Sequence, residues 1–141
     1  MADDISDFTR SIGIATSGLR AQAGRMRVIS ENIANADSTG TSPGANPYRR
    51  KIPTFLSQLD RALDAKTVVL GKIAPDNSDF RTKYEPSSPA ADQNGYVKYP
   101  NVNPMVEMTD MREAQRSYEA NLNIIGATRR MIQRTLDILK A

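Results

Sequence analysis

MREAQRSYEANLNIIGATRRMIQRTLDIL, residues 111–139, decides the fold. Met111, Tyr118, Ile125, Ile132 and Leu139 fall seven apart in it without a gap. A strict seven-residue repeat keeps one stripe of an α-helix turned toward a partner helix. Leu122 and Leu136 stand one turn beyond Tyr118 and Ile132, and the small or polar line Ala114, Asn121, Thr128, Thr135 lies beside them. A seam that mixes Asn and Thr with Ile and Leu is poor for one dry coiled coil. It suits a helix that touches several neighbours, some through polar contacts. A two-helix hairpin within one subunit also satisfies the pattern. Upstream, Asn103 is placed as an N-cap and Pro104 as the first helical residue. The helix is therefore expected from there to about Lys140, a rod of roughly 55 Å.

The N-terminal stretch carries a matching signal. Phe8, Ile12, Ala15, Leu19, Met26, Ile29, Ile33 and Ala36 form a seam that only Gln22 interrupts. Asp4, Ser6 and Asp7 are each plausible caps, so a helix is expected from about Asp7 to Ala36, roughly 45 Å long. Gly13, Gly18 and Gly24 lie inside it, each costing about 1 kcal/mol relative to alanine. They mark either a tolerant surface or a close backbone approach to neighbouring helices.

The middle is different in kind. Residues 37–48 are loop by composition, and no Gly-Lys-Ser/Thr follows their glycines, which argues against a phosphate-binding loop. Residues 49–65 are ambiguous: Ile52, Phe55 and Leu56 read as a strand, while Leu56, Leu59 and Leu63 have helical spacing. Residues 67–70, continued by Ile73, then 80–84 and 96–99 read as three short strands, with Asn94-Gly95 as a tight turn. The expected fold is mainly α, with long N- and C-terminal helices in a coiled-coil-like domain and a small β-rich insert between them. The expected segments are 1–36 (first helix), 37–66 (loop and linker), 67–102 (insert) and 103–141 (second helix).

Bulk composition narrows the function. The chain has 141 residues, 39% hydrophobic, and a net charge of +3. That balance argues against nucleic acid, and the run Arg49-Arg50-Lys51 reads first as a solvated loop. The absence of both Cys and His removes thiolate nucleophiles, imidazole bases, disulfides and the usual zinc ligands. The nearest carboxylate pairs are Asp3/Asp4, at a chain end, and Glu107/Asp110, in the first turns of a helix where acids suit the dipole. No enzyme, cofactor, metal or small-molecule substrate is expected. No cleaved signal and no membrane-spanning stretch is read. Arg10, Arg20, Arg25 and Arg27 would suit a lipid surface, but that leaves the second seam unexplained.

Two stretches carry a resemblance. Residues 31–37, ENIANAD, resemble the Asn-x-Ala-Asn signature closing the N-terminal helix of bacterial flagellar rod and hook proteins. Residues 107–121, EMTDMREAQRSYEAN, resemble their C-terminal motif. Three further blocks, at 36–51, 84–89 and 95–102, resemble the proximal-rod members of that family. The resemblance covers about residues 8–58 and 84–139. It departs at the polar start and at residues 41–45, which look slightly extended.

The resemblance implies a structural subunit of the periplasmic rod, exported without a cleaved signal, with its terminal helices packed around the export channel. Implied partners are other copies, other rod subunits and the rod-base adaptor near the export gate. On that reading the interface residues are Phe8, Ile12, Leu19, Met26, Ile29, Asn32, Ile33 and Asn35 in the first helix. In the second they are Met111, Tyr118, Asn121, Leu122, Ile125, Ile132, Leu136 and Leu139. Tyr48, Arg49 and Arg50 are candidate loop contacts, an aromatic beside two arginines being a common anchor. Another flagellar axial subunit, or a non-flagellar coiled-coil adaptor or secreted assembly protein, is the alternative.

Overall fold

A computed structural model describes the backbone of residues 2–140 and the side chains of residues 6–140. Two long helices bracket six short strands. Helix α1 is Ala2–Ala34 and helix α2 is Pro104–Lys140. The strands are β1 (Lys51–Ile52), β2 (Phe55–Asp60), β3 (Ala65–Leu70), β4 (Ala74–Pro75), β5 (Arg81–Tyr84) and β6 (Tyr96–Tyr99). They pair as three separate antiparallel ladders, β1 with β4, β2 with β3, and β5 with β6.

Helix α2 starts where the sequence places it. The Asn103 side-chain oxygen accepts from the Met105 N–H at 3.1 Å, the expected cap. Helix α1 starts earlier than expected. Nothing in residues 2–7 breaks a helix, so Ser6 and Asp7 lie inside it, and Asp7 pairs with Arg10 at 3.1 Å. The Asp3 and Asp4 side chains lie outside the described residues. At the other end helix α1 stops at Ala34, and residues 35–37 form a turn.

The ambiguous stretch resolves as strand. Residues 55–60 pair with residues 65–70 over six positions, from Phe55 with Leu70 to Asp60 with Ala65. Ladder hydrogen bonds across six pairs outweigh a helical spacing of three leucines. The hairpin therefore begins well before residue 67, and its strands share no ladder with β5 and β6. The strands between the helices do not form one sheet.

The chain divides into two compact units. The first takes the described residues of 1–26, 54–72 and 113–141; the second takes 27–53 and 73–112. In the first unit the glycines of α1 admit side chains from two elements. A Cβ on Gly24 would stand 2.7 Å from Leu70 of the hairpin, and one on Gly13 would meet Leu63. A Cβ on Gly18 would stand 2.8 Å from the Asn121 amide of α2. Arg25 pairs with Glu113 at 3.6 Å. The contacts 18 with 121 and 25 with 113 run in opposite chain order, so the helices are antiparallel there.

The Gly18 contact yields a prediction. Gly18→Ala gains about 1 kcal/mol of helix propensity but forces the Asn121 amide off its bond to the Ser117 carbonyl, 3.0 Å. Alone the change is expected to be neutral or destabilising. Combined with Asn121→Ala, which vacates the site, it is expected to stabilise by about 1 kcal/mol relative to Asn121→Ala. Denaturation midpoints of the four proteins check this. A Gly18→Ala gain as large in the parent as in the Asn121→Ala background would disprove the contact.

Candidate assembly interface

In the second unit, the first Asn of the Asn-x-Ala-Asn signature is a hub. Asn32 is 1% exposed and uses both ends of its amide. Its Nδ2 donates to the Lys51 carbonyl at 2.8 Å and to Glu107 Oε2 at 3.1 Å. Its Oδ1 accepts from the Tyr48 hydroxyl at 2.8 Å and from the Lys51 N–H at 2.9 Å. A carboxylate could not make the two donations, and aspartate would face Glu107 with like charge.

Glu107 is also 1% exposed. A buried carboxylate needs a partner and hydrogen bonds. Arg50 supplies the first, its Nε donating to Glu107 Oε1 at 2.7 Å. The same guanidinium reaches Asp76 at 3.5 Å and Asp110 at 3.9 Å. The Arg50 backbone N–H donates to Asn101 Oδ1 at 2.8 Å. Burial would lower the Arg50 pKa, but the hydrogen bond and charge of Glu107, with Asp76, raise it overall. Asp76 is held low by the Ser78 N–H and hydroxyl, with Arg50 adding to them. Arg49 lies over Phe80, 4.2 Å from the ring centroid, and donates to the Asp76 carbonyl at 2.8 Å. Lys51 pairs with Glu31. The basic run is thus bonded within the fold rather than solvated.

Tyr48 reports on this network. Burial first, then the charges of Glu31 and Glu107, push its pKa up to about 12. A raised folded pKa means that its contribution is complete below the unfolded value near 10 and is lost as pH rises through 12. The second unit is therefore expected to loosen across that window, and Tyr48→Phe to remove part of the pH dependence. Urea midpoints measured from pH 9 upward check this; identical pH profiles for the two proteins would refute it.

The first unit is built differently. Its fully buried residues, among those described, are Ala15, Ala21, Ala65, Ala114, Thr67 and Thr128. No large apolar side chain is among them. The large ones lie at the surface. On α2, Leu122, Ile124, Met131, Leu136, Ile138 and Leu139 are 43–76% exposed. On the hairpin, Phe55, Leu56, Leu59 and Val68 are 40–58% exposed. Ile124, Met131 and Ile138 are themselves seven apart and make a second stripe on α2.

The residues singled out in the sequence divide accordingly. Ile29 and Asn32 are buried, and Phe8, Ile12, Leu19, Met26, Ile33 and Asn35 are half-buried. Met111, Tyr118, Asn121, Ile125 and Ile132 are half-buried, while Leu122, Leu136 and Leu139 are exposed. Tyr48, Arg49 and Arg50 are half-buried and bonded within the second unit. Sequence reasoning missed Glu107, Asp76 and Asn101 as partners of that loop, because each lies far from it in the chain. It also missed the Ile124–Met131–Ile138 stripe, although the seven-residue spacing was there to read.

A C-terminal helix and a hairpin that leave large apolar side chains exposed, a locked loop, and a first unit with no large apolar side chain buried among its described residues are the features of an assembly subunit. Family models agree. "Flagella basal body rod protein" matches residues 12–40, and "Flagellar basal body rod FlgEFG protein C-terminal" matches residues 93–138. The flagellar basal-body rod protein FlgC of Agrobacterium fabrum is 56% identical over 128 residues, covering 91% of this chain and 92% of that protein. The FlgC of Salmonella typhimurium is 40% identical over 89% of this chain and 92% of its own length. That of Bacillus subtilis is 38% identical over 92% and 97%. The chain belongs to the FlgC family of flagellar basal-body rod proteins and is a structural rod subunit. No described helix is long and apolar enough to cross a membrane.

Proposed function

We propose that this chain stacks helically in the proximal rod of the flagellar basal body, its terminal helices packing coiled-coil-like against those of neighbouring subunits around the export channel. One observation carries the reading. Among its described residues the first unit fully buries only alanines and threonines, while eleven large apolar side chains stay exposed. On α2 the exposed residues Ile124, Met131 and Ile138 share one helical stripe, the kind of apolar strip that marks an interaction surface. Packing it against neighbours supplies the burial the unit lacks alone.

The heptad faces of both helices then meet neighbours: Phe8, Ile12, Leu19 and Met26 with Met111, Tyr118, Ile125 and Ile132, flanked by Leu122, Leu136 and Leu139. The second unit serves as a rigid body, with Tyr48, Arg49 and Arg50 presenting only what their internal bonds leave free. The partners are further copies, other rod subunits and the rod-base adaptor near the export gate. The subunit reaches the periplasm through the flagellar export apparatus. Imaging of basal bodies carrying a tagged chain tests this. The expected result is tag density in the proximal rod; tag density confined to the cytoplasm would reject the placement.

A further inference from the structure

The β2–β3 hairpin has two edges, and they are treated differently. Val68 of β3 donates its N–H to Ser17 Oγ at 3.2 Å, so the outer edge of β3 faces helix α1. That bond also fixes the parity of the ladder. Val68 opposes Ser57, and hydrogen-bonding direction alternates along a strand. Hence Leu56, Gln58 and Asp60 bond inward to β3. Phe55, Ser57 and Leu59 point their backbone groups outward, along an edge with no ladder partner among the described residues. Every residue from Phe55 to Leu59 is exposed. The strand holds no Lys, Pro or bulge, the usual devices that blunt an edge.

The β5–β6 hairpin offers a second open edge. Glu85 donates its N–H to the Gly95 carbonyl at 2.9 Å, continuing the register of Arg81 with Tyr99. Arg81, Lys83 and Glu85 therefore bond inward, and Thr82 and Tyr84 point outward. All four residues of β5 are exposed, and its Lys83, a residue that can blunt an edge, is paired with Glu85 of its own chain at 2.6 Å. Strand β2 holds one carboxylate and no cation; β5 holds two cations and no carboxylate.

We propose that β2 of one copy pairs antiparallel with β5 of a second copy. Ser57 opposes Tyr84 and Leu59 opposes Thr82, which joins outward-bonding positions on both strands. The same register sets Asp60 opposite Arg81 and Gln58 opposite Lys83. It also places Leu59 and Phe55 on one face with Tyr84. A slip of one residue would break the bonding parity and the side-chain matching together. The two surfaces differ, so the contact is head-to-tail, the kind that propagates as an open helix when its rotation does not close a ring. The inference rests on the rod reading above and adds a specific contact to it.

The protein has no cysteine, so introduced thiols report without background. Gln58→Cys and Lys83→Cys would face each other at a narrow pair, with Cα atoms about 4.5 Å apart, within disulfide range. The two variants are expressed singly and together, and basal bodies are isolated under mild oxidation. The expected result is a dimer-sized band, lost on reduction, in the mixed sample only. Its absence from basal bodies that contain both chains overturns the strand pairing while leaving the rod assignment intact. A band from Gln58→Cys alone overturns it in favour of symmetric β2–β2 pairing. Failure of the parent chain to enter basal bodies overturns the rod assignment and this contact with it.

Discussion

Arg50→Ala is expected to destabilise the second unit by about 3–5 kcal/mol, the usual penalty for stripping one partner from a buried ion pair. The reason lies with Glu107. It is 1% exposed, and Arg50 is the cation bonded to it. Without the guanidinium, the carboxylate must stay charged in a dry site, take up a proton, or pull the start of helix α2 open to water. A loss of that size is a large share of the 5–15 kcal/mol that holds an ordinary domain together. Glu107→Gln keeps hydrogen-bonding capacity and removes the charge, so it is expected to be milder. Arg50→Ala with Glu107→Leu is expected to recover much of the loss, because both halves of the pair are gone. Hydrogen exchange on the purified protein measures this by segment. Protection should fall across 27–53 and 73–112. Unchanged protection there in Arg50→Ala would show that the ion pair carries no structural weight.

Met131→Asp is expected to abolish incorporation into the rod while leaving the isolated subunit folded. Met131 is 50% exposed, so a carboxylate there stays hydrated in the free chain and costs little. Packed against a neighbour, it must lose that hydration or become protonated, at several kcal/mol per subunit. Every identical contact repeats the penalty. Ile125→Asp is the informative comparison. Ile125 is half-buried within its own subunit, so this change should weaken the monomer as well as the assembly. Glu119→Lys, on an exposed position, should be mild. Each variant is tested by flagellar assembly in cells, by export measured separately, and by the thermal midpoint of the purified chain. Normal flagella from Met131→Asp would exclude that stripe from the rod interface.

The two experiments address different units for a physical reason. The second unit has large buried groups of its own: Glu107, Val97, Val102, Asn32 and Pro100. It can be broken from within. The described residues of the first unit form no comparable core, so its decisive contacts are sought outside the chain.

The sequence by itself determined the two helices. A heptad repeat depends only on spacing along one element, and the cap at Asn103 and the proline at 104 act within a turn. The same local logic fixed the turn at Asn94-Gly95, where Gly95 adopts φ 82°, and the family motifs at residues 31–37 and 107–121. Tertiary structure decided everything that needed two distant segments at once. It made residues 55–60 a strand, because residues 65–70 supply a ladder that helical spacing could not match. It assigned two of the three helix glycines to the hairpin and one to α2. It turned Glu107 from a favourable charge at a helix start into the centre of a buried network, through an arginine 57 residues away in the chain. Burial of a charge depends on what surrounds it, and no local pattern encodes that. The exposed stripes of α2 lie between these cases: their spacing was legible in the sequence, but only the fold showed which apolar faces the chain leaves uncovered.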